Sequence, residues 1–176
     1  MDDVFIEKIV ARKKTSKDYL IIAGVIVGGI AAIVAVNILN YYVNITFMLP
    51  LLVVGVIYLL YILISNMSIE YEYILTNGDL DIDQIISRRK RKRVFSCPAK
   101  NIELMGKVGS DDWRDANRGS YKLLDCSQFM QSPDNWFITA NYKGQRLLVV
   151  FAPDERILKN MKRFNPSKIK YIQNGL

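Results

Sequence analysis

The chain has 176 residues, of which 51% are hydrophobic, and its formal net charge is +7 from 24 Lys and Arg against 17 Asp and Glu. It contains no histidine, which excludes histidine acid-base catalysis, histidine-assisted nucleophiles and histidine metal ligands. The charges are unevenly placed, because residues 19–64 contain no Asp, Glu, Lys or Arg. So long an uncharged stretch is not typical of a soluble domain, and it predicts a membrane protein.

Residues 1–18 form a charged leader ahead of this stretch. The apolar residues Phe5, Ile6, Ile9 and Val10 have roughly helical spacing. This spacing favours an amphipathic helix on the inner surface of the membrane. A frayed, charged tail is the alternative.

Two apolar segments, residues 19–39 and 47–64, predict transmembrane helices. At the helical rise their lengths are about 31 Å and about 27 Å, close to the thickness of a bilayer core. Pro50 falls in the first turn of the second helix, where its missing N–H is tolerated. The connection at residues 40–46 is so short that the two helices must be antiparallel neighbours in a hairpin.

The cations that flank the two segments predict the orientation of the hairpin. Lys and Arg precede the first segment and follow the second, whereas residues 40–46 carry none. The positive-inside rule therefore places both termini in the cytoplasm. A cleaved signal peptide is disfavoured, because the apolar run is long and a second apolar segment follows it.

Small residues lie on one face of the first helix, at Gly24, Gly28 and Ala32. This spacing permits close approach of a second helix. The partner is either the second helix of the same chain, near Gly55, or a second copy of the protein.

The cytoplasmic part, residues 65–176, contains about seven segments with strand patterns. Residues 69–75 alternate and lead into Asn77-Gly78, a strong hairpin signal. In the next strand, alternation places Asp79, Asp81 and Asp83 on one solvent-facing side. The further strands are residues 93–97, 102–108, 121–127, 136–142 and 146–151, with a turn at Lys143-Gly144. Residues 109–120 are predicted to be a polar loop.

The hydrophobic period changes at residues 153–164. Ile157, Leu158, Met161 and Phe164 form one stripe, with acids in the first turn and cations in the last. The predicted fold is therefore a membrane α-helical hairpin plus an α+β cytoplasmic domain. About seven antiparallel strands form an open barrel or sandwich that this C-terminal helix closes.

A strand series that ends in one helix, directly after a two-helix hairpin, resembles the bacterial pleckstrin-homology-like (PH-like) domains of small membrane proteins. The segments that carry the resemblance are residues 71–78, 80–82, 93–95, 102–104 and 151–158. The whole chain is similar to a family of bacterial two-span membrane proteins, through its leader and through residues 73–83 with the basic run that follows. The resemblance implies a fold and a location but no active site.

The strongest local signal is six consecutive cations: Arg88, Arg89, Lys90, Arg91, Lys92 and Arg93. Near anionic lipid each cation gains about 1 kcal/mol, and the resemblance implies headgroup binding by basic loops between strands. Two alternatives remain open. The run either serves only to fix orientation, or it pairs across the strands with Glu70, Glu72, Asp79, Asp81 and Asp83. Nucleic acid is not an expected partner, because no aromatic residues interrupt the run.

The remaining candidates predict no catalysis, metal or cofactor. The Asp79, Asp81, Asp83 series lacks the Gly and Glu of a calcium loop. Cys97 and Cys126 are expected to be free, buried thiols. The acidic residues around Trp113 indicate a solvated loop, and Trp113 is a candidate partner contact, with burial as the alternative.

The sequence thus predicts a non-enzymatic integral membrane protein that presents a PH-like domain at the inner leaflet for anionic-lipid headgroup contact. The alternative is a membrane-anchored protein-interaction scaffold or assembly subunit. It would bind another membrane protein, or a second copy, through a strand edge, Trp113 or the glycine face of the first helix.

Overall fold

A computed structural model describes residues 4–171 of the chain. Residues 4–13 and 69–171 belong to one compact unit, and Lys14–Ser68 forms the other. The strands are β1 Phe5–Ala11, β2 Ile69–Thr76, β3 Asp79–Ile86, β4 Lys90–Pro98, β5 Leu104–Lys107, β6 Lys122–Asp125, β7 Trp136–Tyr142 and β8 Gln145–Phe151. The helices are α1 Ser16–Val43, α2 Leu49–Ser65, α3 Asp111–Arg118 and α4 Glu155–Phe164, and a short 3₁₀ helix spans Ala99–Asn101.

The unit Lys14–Ser68 consists of the two apolar helices α1 and α2. At the start of α1, the backbone N–H of Thr15 donates to Asp18 Oδ2 at 2.8 Å, which satisfies one unpaired donor of the first turn. Among the described residues, α1 is the one helix long and apolar enough to cross a membrane, while α2 is a shorter apolar helix of 17 residues. Pro50 lies in the first turn of α2, as predicted.

The leader forms a β-strand, so the prediction of an amphipathic helix is wrong. β1 pairs antiparallel with β2 from Phe5↔Thr76 to Ala11↔Glu70. The leader also alternates with a period of two, which buries Val10 and leaves Ile9 exposed. The short leader fits a helical and a strand pattern of apolar residues equally well. Backbone hydrogen bonds with the open edge of β2 favour the strand.

The β2–β3 hairpin turns at Asn77-Gly78, as predicted. Both residues have positive φ, 51° and 92°, which the tight turn requires. The prediction that Asp79, Asp81 and Asp83 share one solvent-facing side is wrong for Asp83, which is only 6% exposed. A bulge in the β3–β4 pairing lies between Ile82 and Asp83, and the Arg93 side chain covers the Asp83 carboxylate.

The second sheet has the strand order β5-β7-β8-β6 and follows the first sheet, β1-β2-β3-β4. The prediction of antiparallel strands throughout is wrong for β6, which runs parallel to β8. Residues 126–135 supply the long connection from β6 to β7 that this arrangement needs.

The predicted loop at 109–120 contains α3. At its start, Ser110 Oγ accepts a hydrogen bond from Trp113 N at 3.3 Å. Residues 65–171 thus contain seven strands, the number predicted for this part of the chain, and the leader adds β1.

The core lies between the two sheets, and α4 packs against it through Ile157, Leu158 and Met161. The Asp154 carboxylate accepts from Ile157 N at 2.9 Å and caps this helix, which confirms the predicted amphipathic helix. Tyr73 joins the sheets, because its hydroxyl donates to Cys126 O at 2.6 Å and accepts from Ala152 N at 3.3 Å. The result is a two-sheet sandwich closed by a C-terminal helix, rather than a single barrel.

Candidate anion-contact surface

The basic run occupies the β3–β4 turn and the first half of β4. Ser87 and Arg88 have φ values of 56° and 54°, the left-handed conformation of a tight turn. In the sheet register Ala11 pairs with Glu70, and Ile69 pairs with Ile86. The turn therefore lies at the sheet end where the chain leaves β1 for α1 and returns from α2 to β2.

Three of the six cations form ion pairs with acids of the neighbouring strands. Arg88 Nε lies 3.1 Å from Glu70 Oε1. Arg91 Nη1 lies 3.1 Å from Glu72 Oε2. Arg93 spans two aspartates, with Nε 2.7 Å from Asp83 Oδ1 and Nη1 2.5 Å from Asp81 Oδ2. The predicted pairing across the strands is thus confirmed for these three arginines.

Glu72 shows why the arginines are needed at this face. Its side chain is buried, at 1% exposure. Arg91 Nη2 donates to Glu72 Oε1 at 3.1 Å, and Arg91 Nη1 lies 3.1 Å from Oε2 as an ion pair. Burial raises the pKa of Glu72 above its ordinary value, a hydrogen bond with the Glu7 side chain raises it further, and Arg91 lowers it. The paired arginines therefore offset acidic groups of the same sheet.

Lys90 and Lys92 differ from the arginines, because alternation along β4 turns them to the opposite side of the strand. Both are exposed, and within residues 4–171 neither side chain has an ion pair or hydrogen bond. Arg89 does interact within the chain. The run thus contains three arginines that pair with acids of the sheet and two exposed lysines without an ion pair among the described residues.

Lys92 lines a pocket of about 320 Å³ between β4, β6 and the β7–β8 turn. These two strands are the last members of their respective sheets, so the pocket lies where the sandwich is open. The cationic lining residues are Lys92, Arg93, Lys122 and Lys143, and the apolar ones are Val94, Leu123, Leu124, Tyr142 and Leu147. Gln145 is the remaining residue of the lining. The lining contains no carboxylate side chain. Sequence reasoning missed Lys122 and Lys143, because the parallel β6–β8 pairing that brings them here leaves no periodic signal.

Trp113 lies on α3 and is half-buried. Its ring centroid is 5.5 Å from that of Phe137, and it packs against a small cluster of Ala116, Phe137 and Leu148. This contact anchors α3 on the second sheet, which supports the burial alternative. A role for Trp113 as a partner contact stays a prediction.

The predicted glycine face of α1 is open in the unit Lys14–Ser68. A Cβ atom on Gly24, Gly28 or Gly55 would meet nothing within 4 Å. The glycine that contacts α2 is instead Gly29, where a Cβ atom would overlap the Leu60 side chain. Within the chain, the close approach of the two helices therefore uses a neighbouring face to the one predicted.

Both cysteines are free and buried, as predicted. Burial is the largest cause that raises the pKa of Cys97 to about 11 and that of Cys126 to about 12. Both thiols are therefore protonated at neutral pH, and neither has the thiolate character of a nucleophile.

Two four-stranded sheets closed by a C-terminal helix, with cations on a strand connection, define a sandwich of the PH-like class. The chain belongs to the family described as a bacterial PH-like domain (DUF6106), which matches residues 2–171. The match includes the leader and both apolar helices, which confirms the PH-like resemblance over nearly the whole chain. No curated protein and no solved structure matches the chain.

Proposed function

We propose that this is a membrane-anchored, non-enzymatic protein whose PH-like domain contacts anionic lipid headgroups at the inner leaflet. One observation carries the proposal. The turn that bears the basic run lies at the sheet end where β1 and β2 connect to the two apolar helices. Residues 12–15 and 66–68 connect these strands to α1 and α2, so few residues along the chain separate this end of the sheet from the apolar helices.

The pairing of β1 with β2 supports two membrane crossings. These strands are hydrogen-bonded neighbours in one sheet, and α1 and α2 lie between them in the chain. A single crossing by α1 would place β1 and β2 on opposite sides of the bilayer, where they could not pair. With 17 residues, α2 is about 26 Å long, which a bilayer accommodates by local thinning.

The orientation follows from the cations on both sides of the hairpin. Lys and Arg flank the apolar helices at the leader and at the basic run, whereas residues 44–48 carry none. Under the positive-inside rule both termini and the PH-like domain lie in the cytoplasm, against the leaflet that carries anionic lipid.

The ion pairs reduce the expected strength of the lipid contact. Arg88, Arg91 and Arg93 are neutralised by acids of their own sheet. Lys90 and Lys92 are the cations of the run that are expected to act on lipid. At about 1 kcal/mol per cation they contribute roughly 2 kcal/mol, which is enough to orient a domain that is already tethered to the surface.

Lysine acylation tests this proposal on the full chain in lipid nanodiscs. The acylation rate of Lys90 is measured by mass spectrometry in phosphatidylcholine, with and without phosphatidylglycerol. We expect Lys90 to react several-fold more slowly in the anionic bilayer and to recover in high salt, because salt screens the attraction. Lys100, which is exposed on the 3₁₀ helix, is the internal control. Equal Lys90 rates in both bilayers would overturn the proposal.

A protein-interaction scaffold is the second candidate, and the exposed face of β1 favours it. β1 is an edge strand, and its Phe5 and Ile9 are 65% and 53% exposed. Edge strands with exposed apolar residues are sites of strand addition by other chains. Replacing Ile9 by Lys should abolish such a contact, and should leave the lipid dependence of Lys90 acylation unchanged.

A further inference from the structure

We propose that the pocket between β4 and β6 binds an anionic amphiphile, a molecule in which a phosphate-bearing headgroup is joined to an apolar chain. The inference rests on the proposed function only for the source of the ligand, the adjacent leaflet. The pocket adds a defined binding site to a surface contact that otherwise depends on charge alone.

The charge of the pocket matches a phosphate. Lys92, Lys122 and Lys143 line it, and within residues 4–171 none of the three has an ion pair. The fourth cation, Arg93, is committed to Asp81 and Asp83. The lining contains no carboxylate, so three lysines without an ion pair among the described residues border one small volume. Lysine binds phosphate as a mobile point charge.

The apolar part of the lining distinguishes an amphiphile from a free anion. Leu123 is 47% exposed beside Lys122 on an edge strand. Leu124, Leu147 and Val94 continue the same wall. Inorganic phosphate would leave this wall in contact with water, whereas an acyl chain or glycerol backbone would cover it.

The size of the pocket sets the scale of the ligand. A volume of about 320 Å³ falls at the lower end of small-molecule sites. It accommodates one headgroup with the first part of an apolar chain. The Lys143 Nζ lies 5.1 Å from the centroid of the Tyr142 ring, a contact that favours an ordered ammonium group beside another lining residue.

The test uses the full chain in nanodiscs of phosphatidylcholine without anionic lipid. The probes, added in solution, are dihexanoyl phosphatidic acid, dihexanoyl phosphatidylcholine and glycerol 3-phosphate. The measurement is the acylation of Lys122 and Lys143. We expect saturable protection by the short-chain phosphatidic acid alone, with Lys100 unaffected. Equal protection by glycerol 3-phosphate would show that the apolar wall contributes nothing, and protection by none of the probes would show that there is no site. Either result overturns the proposal.

Two exposed substitutions separate the roles of charge and apolar contact. Lys122→Gln should raise the half-saturating concentration of dihexanoyl phosphatidic acid about tenfold, the usual effect of losing one charged hydrogen bond. Leu123→Gln should raise it several-fold through lost apolar contact. Lys100→Gln, with the same charge change outside the pocket, should leave it unchanged. An equal effect of Lys122→Gln and Lys100→Gln would contradict a defined site.

Failure of the pocket and failure of the proposed function give different results. The pocket is titrated with soluble probes in a neutral bilayer. Its result therefore does not depend on whether anionic lipid slows the acylation of Lys90. Conversely, if the pocket binds none of the probes, anionic bilayers should still slow the acylation of Lys90.

Discussion

Removal of the Tyr73 hydroxyl tests whether the two sheets are joined as described. Tyr73 is fully buried, and its hydroxyl donates to Cys126 O at 2.6 Å and accepts from Ala152 N at 3.3 Å. In Tyr73→Phe both backbone groups lose this partner inside the core, where water does not replace it. Leaving a buried polar group unsatisfied costs about 1–3 kcal/mol. Because the second hydrogen bond is long, we expect a total loss of about 2–3 kcal/mol in the free energy of unfolding.

Urea unfolding of the full chain in detergent micelles measures this loss. The two tryptophans, Trp113 and Trp136, both lie in the β-rich unit, so their fluorescence reports on that unit and not on α1 or α2. Tyr142→Phe is the matched control, because within the described residues its hydroxyl has no hydrogen bond, and we expect a change within about 0.5 kcal/mol. Equal stabilities of Tyr73→Phe and Tyr142→Phe would show that the Tyr73 hydroxyl does not stabilise the contact between the sheets.

Two further predictions use the same unfolding assay. Val10→Ala should lower the free energy of unfolding by about 1.5 kcal/mol, since Val10 is buried in β1. Ile9→Ala, at the exposed neighbouring residue, should change it by less than about 0.5 kcal/mol. A larger loss for Ile9→Ala than for Val10→Ala would contradict the assignment of the leader as a strand. Burial raises the pKa of Glu72 above the ordinary 4.5, so the folded chain binds this proton more tightly than the unfolded chain. Stability should therefore fall as pH rises from 4.5 through the raised pKa, and Glu72→Gln should flatten that fall. An unchanged slope in Glu72→Gln would show that another group causes it.

The elements that sequence reasoning located correctly are those whose pattern is local. The Asn77-Gly78 and Lys143-Gly144 turns need positive φ, which the sequence indicates directly. Likewise, the stripe of Ile157, Leu158 and Met161 can be recognised within one helix, without reference to the rest of the fold. In these cases the residues of one segment are enough to predict its structure, because the turn conformation or the apolar stripe is set within that segment.

The errors concern segments whose structure depends on a distant partner. Residues 5–11 satisfy a helical period as well as a strand period, and only the free edge of β2, about sixty residues later, decides between them. β6 has four residues, too few for a period to show that it lies parallel to β8. The composition of the pocket depends on that pairing, so Lys122 and Lys143 could not be linked to Lys92 from the sequence.

The basic run shows both the value and the limit of charge patterns. Its six consecutive cations are a clear signal, and pairing with acids of the preceding strands was one expected outcome. Which cations pair depends on the bulge between Ile82 and Asp83, which brings Arg93 opposite Asp83. That detail is a property of backbone geometry, and no residue in the run encodes it alone.

Cysteine labelling tests directly whether, as proposed, the chain crosses the membrane twice and keeps its PH-like domain on the cytoplasmic side. Thr46→Cys lies between α1 and α2, and Asp134→Cys lies at an exposed position of the β-rich unit. The native Cys97 and Cys126 are buried and should add little background. We expect an impermeant maleimide to label Thr46→Cys in intact spheroplasts, and Asp134→Cys only after lysis. Labelling of Asp134→Cys in intact spheroplasts, or of Thr46→Cys only after lysis, would contradict it.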